Sequence, residues 1–181
     1  MRTISVSDRN EWLFARGLVN LLGDSPVSLP WVDREAWAFK KDGKLVTVTM
    51  PQRAVDIIYL SNQLTTGPQN AFKGSMCWLS GWGMSCEYEG NPGIALYRKF
   101  LPVDKHPIDG LGILFDKEEK DDQSAALAVP LVWRWDACMM PEDGSYFVKF
   151  SNDECVDIYT KSDHMVDEWM RWLGDYHPEV R

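Results

Sequence analysis

Residues 145–174 read Ser145-Tyr146-Phe147-Val148-Lys149-Phe150-Ser151-Asn152-Asp153-Glu154-Cys155-Val156-Asp157-Ile158-Tyr159-Thr160-Lys161-Ser162-Asp163-His164-Met165-Val166-Asp167-Glu168-Trp169-Met170-Arg171-Trp172-Leu173-Gly174, and their patterning decides the fold. Tyr146–Phe150 reads as a strand, Ser151-Asn152-Asp153 turns it, and Cys155–Thr160 returns as a second strand. Ser162 then caps a helix, with Asp163 placing an acid in the first turn. At about 100° per residue, Met165, Val166, Trp169, Met170, Trp172 and Leu173 fall on one arc, while His164, Asp167, Glu168 and Arg171 fill the opposite side. Gly174 stands where such a helix stops.

Working back from this unit, Asp143-Gly144 introduces the first of the two strands. A long apolar strand is expected from Ala125 to about Cys138, after a charged turn at Asp116–Asp122. Further strands are expected at Ile94–Leu101 and Gly112–Phe115. From Thr65 to Gly93 glycines and aromatics alternate irregularly, which predicts a loop with short strands near Met76–Leu79 and Ser85–Tyr88. Gln52–Leu64 has helical spacing through Ala54, Val55, Ile58, Tyr59 and Leu60. Ala36–Lys41 and Lys44–Met50 flank Asp42-Gly43, the pair that a two-residue hairpin prefers. Ser7 is expected to cap a first helix running to about Leu22, with Gly23 as its stop.

Together these elements predict one α+β domain over residues 1–181. An N-terminal helix and connection occupy 1–30, an inserted helix-loop segment 51–93, and the main sheet with its closing helix 94–174. The sheet is expected to be a bent antiparallel sheet or a partly open barrel, closed by the C-terminal amphipathic helix.

The run from Glu154 to Leu173 resembles the end of a pleckstrin-homology domain, in which a last strand passes through a short polar turn into a closing helix with an inward tryptophan, here Trp169. Leu131-Val132-Trp133 as a strand, the turn Pro141-Glu142-Asp143-Gly144 and Tyr146–Phe150 extend the similarity over about the last 50 residues. The resemblance implies a bent barrel plugged at one end by the closing helix. It also implies a candidate phosphoinositide site built from basic residues on the first hairpin. Lys40, Lys41 and Lys44 around Asp42-Gly43 are the anion-binding candidates, with Arg98, Lys99 and Lys105 as supplements. The family's second-strand Lys/Arg-X-Arg is absent, since the sequence there is Lys44-Leu45-Val46.

Composition bounds the function. Of 181 residues, 45% are hydrophobic and 25% charged, an ordinary globular balance, but nine tryptophans and eight methionines make the chain rich in large apolar side chains. The net charge of −8 is carried by residues 121–181, which hold 5 Lys/Arg against 13 Asp/Glu, whereas residues 1–120 hold 14 of each. Such an acidic third disfavours nucleic acid and anionic lipid surfaces and suits a basic protein partner. The N-terminal sequence lacks the apolar run of a signal peptide, and no stretch reaches the length of a transmembrane segment. A cytoplasmic location with reduced thiols is therefore expected for Cys77, Cys86, Cys138 and Cys155, which show no paired spacing.

Few residues suggest chemistry. Cys77 or Cys86 lies in the glycine-rich stretch, where His106 would have to serve as a base. Zinc has no supporting ligand spacing, and phosphate-loop and dinucleotide motifs are missing, so no metal, cofactor or catalytic residue is assigned. Trp78, Trp82 and Tyr88 stand among glycines where no regular period directs them all inward. They are the partner-binding candidates, because Trp and Tyr are favoured interface anchors. The sequence thus predicts a noncatalytic intracellular protein-interaction module, pleckstrin-homology-like. A phosphoinositide-binding domain and a small enzyme or inhibitor with an unrecognised site are the alternatives.

Overall fold

The computed structural model describes residues 1–20, 37–39, 44–68, 72–81, 92–102, 111–151 and 154–181. Along these the chain runs β1 (Arg2–Ile4), α1 (Val6–Ala15), β2 (Leu18–Asn20), β3 (Trp37–Phe39), β4 (Lys44–Thr49), α2 (Ala54–Thr66), β5 (Ser75–Gly81), α3 (Pro92–Tyr97), β6 (Gly112–Phe115), α4 (Lys120–Trp133), β7 (Asp136–Pro141), β8 (Tyr146–Ser151), β9 (Cys155–Thr160), α5 (Asp163–Trp172) and β10 (Glu179–Val180). One antiparallel sheet of eight strands has the order β1-β6-β5-β7-β8-β9-β4-β10, and β2 and β3 form a separate two-stranded sheet. The larger sheet does not close: β1 and β10 are its edges. The fold is α+β, with an open sheet where the resemblance implies a barrel.

Both faces of the central strands are covered. Side chains of a strand alternate between faces, and here each set meets its own core. Cys77, Leu79, Ala137, Met139, Val148, Val156 and Ile158 join the core shared with α2, α3, α4 and α5. Met76, Trp78, Cys138, Met140 and Phe147 join a second core with Leu13 of α1 and Leu18. A strand buried on both sides reads as an unbroken apolar run rather than an alternation. The final unit forms as its pattern requires: β8 and β9 pair in register from Tyr146↔Thr160 to Ser151↔Cys155, and Ser162 Oγ accepts from Met165 N at 3.3 Å to cap α5. Val166, Trp169 and Leu173 turn inward, and the Trp169 ring meets Tyr146 edge-on at 4.9 Å.

Several expectations are corrected. Ala125–Cys138 is not a strand: most of it is α4, and only Asp136–Pro141 is extended. The helix accommodates Pro130 near its end, where Trp135 N donates to Pro130 O and Arg134 takes a left-handed conformation that closes the C-terminus. Ile94–Leu101 is likewise helical, with Pro92 at the first position of α3, where its missing N–H costs nothing. A Cβ on Gly93 would come within 2.4 Å of the Trp133 ring, so α3 and α4 approach to a distance only glycine permits.

The first helix is capped by Ser5 rather than Ser7, and it ends at Ala15 instead of reaching Leu22. Gly17 at φ +89° turns the chain into β2. Among the described residues, the hairpin expected across Asp42-Gly43 shows no pairing of its two arms: β3 pairs with β2, while β4 is held by β9 and β10. Within the segment 51–93, expected as an inserted helix-loop, β5 lies between β6 and β7 inside the sheet.

Candidate functional site

The C-terminal segment is strapped to α2, and an open groove and smaller depressions lie along the seam between them. Trp172 Nε1 donates to Gln63 O at 3.0 Å, Gln63 Nε2 donates back to Trp172 O at 3.4 Å, and Tyr176 OH donates to Asp56 O at 3.3 Å. On its other side α2 packs on α4, where Ser61 Oγ donates to Ser124 O at 2.6 Å. An open groove of about 890 Å³ borders α2, with Arg53, Asp56, Tyr59 and Gln63 on one wall and Trp172, Asp175, Tyr176 and His177 on the other. A depression of about 270 Å³ follows beside Pro68, Glu168 and Arg171. A smaller pocket of about 40 Å³ lies beyond it, lined by residues including Thr65, Phe72, Asp143, Tyr146, Met165 and Glu168.

Charges along the seam are partly self-neutralised. The Arg53 guanidinium holds Asp56 at 2.6 Å and 2.8 Å, which keeps that carboxyl below its ordinary range. Lys73 Nζ meets Asp143 at 3.0 Å. Burial works to raise Asp143, yet the hydrogen bonds from Ser145 and Lys73 outweigh it and leave the carboxyl lowered. Tyr176 is held above the usual tyrosine value, by burial first and then by the Asp56 and Asp175 carboxylates. Two polar atoms at the small end are buried without a hydrogen-bond partner, Thr65 Oγ1 and Glu168 Oε2.

Beside this seam, α2 turns apolar side chains to solvent. Val55, Ile58 and Tyr59 are 49%, 55% and 64% exposed, at spacings that place them on one helical face. On α4, Ala125 and Val132 are exposed as well.

The sequence-predicted candidates fall elsewhere. Trp78 is fully buried, stacked on Phe147 at 5.9 Å with the Arg9 guanidinium 5.5 Å from its ring. It has no surface with which to anchor a partner, because Leu13 of α1 and Leu18 cover that face of β5. Trp82 and Tyr88 lie outside the described residues. Lys44 is exposed at the start of β4 and faces Asp163 at 3.6 Å, while Lys40 and Lys41 lie outside the described residues. Arg98 and Lys99 sit on the single turn after α3, and Lys105 is outside the described residues. Cys77 is buried between strands, and that burial pushes its thiol far above the usual range, which disfavours a nucleophile. Cys86 and His106 are outside the described residues. His164 lies on the solvent side of α5, 3.6 Å from Glu168, and His177 lines the groove.

Sequence reasoning passed over the seam because its parts are far apart in the chain. Its only local signal was a helix, Gln52–Leu64, with more apolar positions than one buried face needs. No helix among the described residues is long and apolar enough to cross a membrane. Compared with known proteins, the chain matches no family model, no curated protein and no solved structure.

Proposed function

We propose that the chain is a noncatalytic intracellular module that binds a partner protein, and that the outer face of α2 contributes the contact. The observation that carries this reading is the stripe of Val55, Ile58 and Tyr59, each about half exposed or more. Scattered apolar surface residues are ordinary, but three large ones at adjacent positions on one helix face form a patch whose burial in a complex is favourable. Cys77, Cys138 and Cys155 are present as thiols, which suits a chain that works under reducing conditions. Phosphoinositide binding draws no comparable support from Lys44, whose ammonium is 3.6 Å from a carboxylate.

Affinity purification of the tagged chain from its native source tests the reading, with Ile58→Asp run in parallel. The wild type retains a stoichiometric protein partner, and the variant loses it at an unchanged thermal midpoint. A clean wild-type monomer, or equal retention by both, overturns the reading.

A further inference from the structure

We draw no further inference here: the strongest candidate, the exposed apolar surface patch that Leu96 of α3 and Val132 of α4 add beside the α2 stripe, carries nothing because nothing in the structure shows what covers it.

Discussion

α5 and α4 lie over the same core and finish their outer surfaces in opposite ways. On α5, Val166 and Trp169 point inward while His164, Asp167 and Arg171 face water. On α4, Gln123, Ala126, Leu127, Pro130 and Leu131 are buried, yet the outer side still carries Ala125 and Val132 beyond the acidic first turn. The neighbouring α2 goes further, with Val55, Ile58 and Tyr59 exposed. A helix with a clean polar face needs only the sheet beneath it, whereas one apolar on both sides leaves a surface that a partner can cover. The difference separates a helix whose outer face is finished for water from helices whose outer faces are still partly apolar.

The largest expected effect is on α5. Trp169 is fully buried and edge-on to Tyr146 at 4.9 Å, so Trp169→Ala should cost about 3–5 kcal/mol. Urea denaturation checks this. A midpoint unchanged from wild type would mean that α5 is not docked, and its polar face would then say nothing about a finished surface. Next comes the contact that fixes α4 against α3. Gly93→Ala sets a methyl 2.4 Å from the Trp133 ring, and overpacking of this kind should cost about 1–3 kcal/mol. A neutral Gly93→Ala would show that the helices slide apart easily, and α4 would lose its fixed outer face.

The same contrast explains what could be read from the sequence. The β8-β9-α5 unit was legible because each period is unmixed: two short strands, a serine cap and an arc of apolar residues with an opposing polar side. α4 was not. Ala125-Ala126-Leu127-Ala128-Val129-Pro130-Leu131-Val132-Trp133 shows no polar face to mark a helical period, and Pro130 argues against a helix interior. Strand pairing was equally hidden, since the choice of β9 and β10 as partners of β4 depends on contacts more than 100 residues away. Trp78 looked like surface because it stands among glycines, but a strand buried on both faces hides both of its side-chain sets. The seam needed α2 and the C-terminal segment to be brought together, which no local motif announces.

Helix ends give a finer test of the contrast. Ser162→Ala removes the oxygen that accepts from Met165 N at 3.3 Å, and should cost about 1 kcal/mol. α4 has no side-chain cap at Glu119, so substitution there should act through other contacts, such as the hydrogen bond from Asp116 N to Glu119.

Acid should weaken the turn between β7 and β8. The Asp143 carboxyl, beside the narrow end of the seam, is lowered in the folded chain. The folded state therefore favours its ionised form. That contribution is complete above the ordinary aspartate value of about 3.9 and fades as pH falls below it. The thermal midpoint should drop below about pH 4, and Asp143→Asn should shallow that drop. An unchanged slope in the variant would mean that the Lys73–Asp143 pair does not couple to folding.

The smallest expected effect bears most on function. Ile58→Asn exchanges an exposed apolar side chain for a polar one on the outer face of α2, so stability should stay within about 0.5 kcal/mol of wild type. The same holds for Val132→Asn on α4, which is 39% exposed. Paired urea melts of the two variants decide the matter. If either loses more than about 1 kcal/mol, that side chain is covered within the chain itself, and its face is part of the core rather than a surface for a partner. If both are neutral, the apolar outer face contributes nothing to folding. Its composition then has to be explained by what binds there, and the affinity of the native partner for Ile58→Asn becomes the quantity to measure.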